Sequence, residues 1–182
     1  MFDFNNITCI IFFGDYMFKK YTYIFILFIS IISFLFNFIS PKKDNSLYFP
    51  LHASYIKTSS FGYRNLKTYH MHNGIDLAAK TGTPIYALSS GTVIYADYYG
   101  SFGNCVIISY HNGYKSLYGH LEENFTVKRG QAVTSSTIVG RIGPKYLKNG
   151  KLNGMTTGPH LHFTLYKNGK IINPDNIKYQ IH

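Results

Sequence analysis

Thr157-Gly158-Pro159-His160-Leu161-His162-Phe163 carries two histidines one residue apart in a short apolar run that follows a glycine-proline turn. Side chains of a β-strand alternate between faces, so a strand beginning here puts His160 and His162 on one face and Leu161 and Phe163 on the other. One edge is then polar and the other belongs to a core. Three upstream positions complete a candidate metal site with this pair: His72 and Asp76 in His-Asn-Gly-Ile-Asp, and His120 in Tyr-Gly-His-Leu.

His72 and Asp76 lie four positions apart, which in a fully extended strand is roughly 13 Å and too far to share an ion. The chain must therefore bend between them. Asn73-Gly74 supplies the bend, since both residue types tolerate the φ > 0 conformations of tight turns, and Ile75 and Leu77 then begin an alternating strand with Asp76 on its polar edge. A catalytic zinc takes three ligands from His, Asp, Glu or Cys and leaves a position for water. Five candidates are two more than that, and the surplus suits proton transfer and oxyanion stabilisation in metal-assisted hydrolysis. Spacing alone leaves open which of His160 and His162 is a ligand.

Outward from the site the chain reads as strands of four to eight residues separated by turns, without a long helical period. The strand candidates are Pro84 to Ser89, Thr92 to Tyr99, Cys105 to Tyr110, Lys115 to His120 and His160 to Lys167, with shorter ones at 130–133 and 138–143. Asn112-Gly113 and Asn168-Gly169 read as hairpin turns. The expected fold class is mostly β, a small antiparallel domain over residues 48–182. The basic, glycine-containing loop 144–154 just before the histidine pair is either a wall of the groove or an exposed surface loop.

The formal charge is +10, and from Asn45 onward fourteen Lys or Arg stand against five Asp or Glu. Such a surface suits an anionic partner. No Lys/Arg cluster is interleaved with aromatic residues as in a nucleic-acid groove, so the reading carries no nucleic-acid partner. Cys9 and Cys105 lie on opposite sides of a hydrophobic span, and no intrachain disulfide is expected. Cys105 reads as a small buried hydrophobe.

That hydrophobic span runs from Tyr21 to Pro41, twenty-one residues without a charge, flanked by Lys19-Lys20 and Lys42-Lys43. About 20 apolar residues cross a bilayer as a helix, whereas the core of a signal peptide is ~7–15 long. Length and the lack of a small-residue cleavage site favour an uncleaved transmembrane anchor over 19–41, the alternative being a cleaved signal peptide. Residues 1–18 read as an extension, with Met17 a candidate start, and residues 42–47 as a linker.

The motifs taken together resemble the lysostaphin-like, or LytM-type, zinc endopeptidases. The resemblance rests on His72-Asn73-Gly74-Ile75-Asp76-Leu77-Ala78-Ala79, Gly82-Thr83-Pro84-Ile85, Gly91-Thr92-Val93, Gly103-Asn104, Tyr118-Gly119-His120-Leu121, Gly130-Gln131 and Thr157 to Phe163. In order and spacing it covers about Ser60 to Pro174. It implies a small antiparallel β domain of the duplicated-hybrid-motif type with a groove, one zinc ion held by His72, Asp76 and His162, and His120 and His160 as unliganded catalytic histidines. It also implies cleavage of the peptide cross-links of bacterial peptidoglycan, with peptidoglycan as partner; the apolar N-terminus would tether such a domain on the outer side of the cytoplasmic membrane, in the cell envelope. Thr164 stands where the family often carries Glu, and loop 144–154 is longer than usual, so specificity is the property in question. Zinc-less relatives of this family act as amidase activators, and a non-catalytic wall-binding module is the alternative function. The remaining positions have structural readings: His111 in a hairpin, His70 in an exposed loop, His52 and His182 flanking the domain, Tyr118 in the core or beside the metal, Asn104 and Arg64 at substrate or in structure.

Overall fold

The computed structural model describes residues 21–33, 46–65 and 69–180. The chain divides into two compact units, Met1–Lys43 and Asp44–His182. In the first, residues 21–33 form a helix whose large apolar side chains, among them Tyr23, Phe25 and Leu27, are exposed. Among the described residues no helix is long and apolar enough to cross a membrane. The expected 1–18 extension, Cys9, most of the 42–47 linker, His182 and the 34–41 part of the apolar run lie outside the described residues.

The second unit is the expected β domain. Its strands are β1 (Ile56–Ser59), β2 (Gly62–Asn65), β3 (Tyr69–His72), β4 (Ile75–Ala78), β5 (Pro84–Tyr86), β6 (Gly91–Tyr98), β7 (Asn104–Tyr110), β8 (Tyr114–Gly119), β9 (Ala132–Val133), β10 (Ile138–Arg141), β11 (His160–Lys167) and β12 (Lys170–Ile172). The main sheet has the order β1-β4-β11-β8-β7-β6-β9, with β12 also paired to β11, and β10-β5 and β2-β3 form two small ribbons. All of these pairings are antiparallel.

Alternation builds the core. Leu161, Phe163 and Leu165 of β11 are fully buried and join Ile75 and Leu77 of β4, Val106 and Ile108 of β7, Ile85 of β5 and Val139 of β10 in one apolar cluster. Burial of a Leu or Phe side chain contributes ~1.5–3 kcal/mol, so the apolar edge of β11 anchors the strand that carries the histidines on its other edge. The sequence reading placed β6, β7, β8 and β11 within a residue at most ends. It missed β1, β2 and β3, short strands without clean alternation. Cys105 is a free, fully buried residue, and burial pushes its thiol up to about 12.

Both expected hairpin turns form, with Asn112 at φ 66° and Gly113 at 74° between β7 and β8, and Asn168 at 50° and Gly169 at 79° between β11 and β12. The Asn73-Gly74 bend also forms, between β3 and β4, but without the positive φ expected of it. Glycine is required there for close approach. A Cβ on Gly74 would stand 2.4 Å from the Phe163 carbonyl oxygen of β11 and 3.0 Å from Thr164 Oγ1. Gly74→Ala should therefore lower stability by about 1–3 kcal/mol through overpacking against backbone that has no room to yield. Urea denaturation measures this, and a change within a few tenths of a kcal/mol would show the bend to be more plastic than its contacts indicate.

Candidate metal centre

The main-sheet register sets up the site. β11 pairs with β4 so that His162 stands opposite Asp76, while His160 stands opposite Ala78. β3 ends at His72, and the two-residue bend brings that side chain back over the same place. Three donor atoms converge there: His72 Nε2 lies 3.1 Å from Asp76 Oδ1 and 3.1 Å from His162 Nδ1, and His162 Nδ1 lies 2.9 Å from Asp76 Oδ1. His72, Asp76 and His162 thus form a group able to hold a metal ion.

Outer hydrogen bonds orient these donors. The Nδ1–H of His72 donates to the Ser60 carbonyl at 2.8 Å, which leaves Nε2 as a bare lone pair aimed at the triangle. With Nε2–H of His162 donating to the Thr164 hydroxyl at 2.9 Å, its Nδ1 is a bare lone pair as well. Arg64 Nη2 donates to Asp76 Oδ2 at 2.7 Å and leaves Oδ1 to face the imidazoles. With those tautomers three lone pairs converge, as a cation requires; without one, a proton on a facing ring nitrogen is shared with Asp76 instead. Zinc bonds of ~2.0–2.1 Å in a tetrahedral shell place ligand atoms about 3.3–3.4 Å apart. The observed separations are a few tenths of an ångström shorter, and two imidazoles with one carboxylate are zinc donors. The residues present fit the ion.

His120 and His160 stand beside this triangle without entering it. Their ring centroids are 4.6 Å apart, and His160 Nε2 is 3.8 Å from Asp76 Oδ1. The Nδ1–H of His120 donates to the Asn153 carbonyl at 2.7 Å, and the Nδ1–H of His160 donates to the Gly158 carbonyl at 2.9 Å. Each neutral ring therefore keeps its Nε2 unprotonated. His120 is not the last residue of β8, as the sequence suggested; β8 stops at Gly119, and His120 adopts φ 60°. A bulky residue in this region is strained by about 1–3 kcal/mol and persists only where its surroundings dictate it. Here its N–H donates to the Phe102 carbonyl and its carbonyl accepts from the Gly143 N–H, both at 2.8 Å.

The five side chains line an open groove, bordered by Arg64, Met71, Ser101, Phe102 and Met155. Sequence reasoning missed most of this frame. Asn153, fully buried at the end of the 144–154 loop, receives the Asn104 N–H on Oδ1 and donates from Nδ2 to the Leu121 carbonyl while its own carbonyl holds His120. The base of that loop is therefore structural. Tyr118 belongs to the core, its hydroxyl bonded to that of Tyr110. His111 lies in the β7–β8 turn as expected, and His52 stacks on Tyr86.

Burial by itself would raise the Asp76 pKa, but hydrogen bonds and charge from His162 and His72 hold its carboxyl well below the usual range. Burial, with the neighbouring His160 adding to it, lowers His120 to about 4, and burial also lowers His162. A mostly β domain with a His-Asp-His group able to hold a metal ion and two flanking imidazoles has the groups that metal-assisted hydrolysis needs. Residues 70–174 match peptidase family M23, and the chain belongs to that family.

Over 123 residues the chain is 37% identical to the DD-carboxypeptidase/endopeptidase Mpg of Neisseria meningitidis serogroup B, covering 66% of this chain and 26% of that protein. It is 33% identical over 129 residues to the peptidoglycan DD-endopeptidase ShyA of Vibrio cholerae, covering 69% and 28%. A zinc-containing peptidase from Vibrio cholerae superposes with a TM-score of 0.63 at 26% identity, over 75% of this chain and 41% of that one. The catalytic domain of lysostaphin from Staphylococcus simulans does so with 0.57 at 30%, over 66% and 90%. The chain spans about a quarter of the length of the curated relatives it matches.

The depressed histidine has a consequence for the metal-free chain. Between the ordinary imidazole value of 6.5 and about 4, the unfolded state binds a proton at this position and the native state does not. Stability is therefore fully present above pH 6.5 and falls as the pH drops toward 4; Asp76 stays ionised in both states down to about pH 5, below which the loss of its own contribution adds to the fall. Melting temperature measured in chelator from pH 7 to pH 4.5 should fall, and that of His120→Gln should fall less steeply.

Proposed function

We propose that the domain is a zinc-dependent endopeptidase that hydrolyses peptide cross-links of bacterial peptidoglycan. The observation that carries the reading is the pair of unprotonated Nε2 atoms, on His120 and His160, in rings that stand beside the His72-Asp76-His162 donor triangle and line the same open groove. In this reading His72, Asp76 and His162 hold the ion. Zinc, when bound there, acts as a Lewis acid toward a carbonyl oxygen and lowers the pKa of a water to ~7.

The chain's own residues handle the protons. His120 and His160 are locked by backbone carbonyls at Nδ1, so their unprotonated Nε2 atoms are positioned acceptors for a proton from the attacking water. The same atoms return a proton to the leaving amine. Arg64 keeps Asp76 turned inward. The names of the relatives support peptidoglycan as the substrate, and the basic surface of the domain suits an anionic wall polymer.

The apolar run 21–41 supports a membrane tether that holds the domain in the cell envelope outside the cytoplasmic membrane. The exposed apolar side chains of residues 21–33 are consistent with this, because a bare apolar helix needs lipid or protein to cover it. Retention of the protein in membranes after a carbonate wash, and its release on deletion of residues 1–41, is the expected result.

His72→Ala and His162→Ala should abolish both stoichiometric zinc and release of new amines from purified peptidoglycan. His120→Ala and His160→Ala should keep the zinc while slowing turnover by about 10²–10⁴. Zinc content by atomic emission and muropeptide masses measure the two properties separately. If His160→Ala emptied the site and His162→Ala did not, the ligand assignment would be reversed. Wild-type protein that binds wall but releases no amine would instead be the non-catalytic module.

A further inference from the structure

Within the groove, Arg64 is the one Lys or Arg among the described lining residues. Its Nη2 is pinned to Asp76 Oδ2, and Asp76 Oδ1 faces the two imidazoles. The guanidinium therefore stands one hydrogen bond and one carboxylate width from the donor triangle. Its side chain is about a third exposed, 32%, yet Nε is buried and makes no hydrogen bond. With no exposed surface, Nε is out of reach of a ligand in the groove, so such a ligand meets the guanidinium through its terminal nitrogens.

We infer that Arg64 receives a free carboxylate on the residue that departs with the amine, so that the preferred substrates carry a carboxylate on the carbon next to the scissile nitrogen. This rests on the peptidase reading above and names its substrate class. From the scissile carbon through nitrogen and Cα to the carboxylate carbon is three bonds, a contour of about 4 Å. A carbonyl placed at the donor triangle thus brings that carboxylate within reach of a group held on Asp76. Guanidinium is suited to this because its planar fork matches a carboxylate and is pre-organised by the Asp76 contact.

The chemistry also accounts for two activities in one site. A carboxypeptidase cuts a bond followed directly by a terminal carboxylate, and an endopeptidase acting on a cross-link to an amine-bearing carbon that also holds a carboxylate meets the same group. Mpg carries both activities in its name. Arg64 supplies one determinant for both. The competing role, in which Arg64 only steadies Asp76, would affect every substrate alike.

The test uses the zinc-loaded full chain and two matched synthetic peptides ending in D-Ala-D-Ala, one with a free carboxylate and one with a terminal carboxamide. Wild-type protein should favour the carboxylate by at least about tenfold in kcat/KM, the worth of one hydrogen bond to a charged group. Arg64→Gln should bring the ratio of the two rates near one, and Arg64→Lys should restore part of it. A wild-type ratio near one, or a ratio unchanged in Arg64→Gln, overturns the inference, and the wild-type measurement decides even if the variant does not fold. Hydrolysis of neither peptide, nor of peptidoglycan, by zinc-loaded wild type would overturn the peptidase reading itself and this inference with it.

Discussion

The structure depends on one antiparallel register, the pairing of β11 with β4 that sets His162 opposite Asp76. Because side chains alternate with a period of two, a slip of one residue would send His160 and His162 into the core and Leu161 and Phe163 into the groove. The apolar edge of the same strand prevents the slip, since Leu161, Phe163 and Leu165 have their places among Ile75, Leu77 and Val106. Folding energy and site geometry are thus two faces of one strand.

Around that register, three of the four imidazoles of the site are held by backbone. Carbonyls of Ser60, Gly158 and Asn153 take the Nδ1 protons of His72, His160 and His120. Such bonds choose the tautomer of each ring, and a ring with a chosen tautomer presents a lone pair in a chosen direction. The Thr164 hydroxyl, two positions further along the strand, holds the far nitrogen of His162 and so orients its ring. A residue that reads as a departure from the family pattern has a definite place in the site.

His120 shows how much support one strained position needs. Its left-handed backbone is clamped by the Phe102 carbonyl on one side and the Gly143 N–H on the other, and its ring is tied to Asn153. Asn153 in turn binds Asn104 and Leu121 and has no exposed surface. The long loop before the histidine pair therefore earns its length at its end, where it braces an imidazole.

The sequence by itself determined the chemistry and much of the fold. Two histidines on one edge of an alternating strand, a His-Asn-Gly-Ile-Asp bend and a separate Tyr-Gly-His segment were enough to collect His72, Asp76, His120, His160 and His162, because alternation and turn chemistry are local properties of the chain. Tertiary structure alone decided what lies between distant segments: which ring nitrogens converge, that Arg64 reaches Asp76, that Asn153 supports His120, and that Gly74 is required by the Phe163 carbonyl rather than by its own φ. Those facts depend on the register of strands about ninety residues apart, as His72 and His162 are, and no local pattern encodes a distance across the sheet.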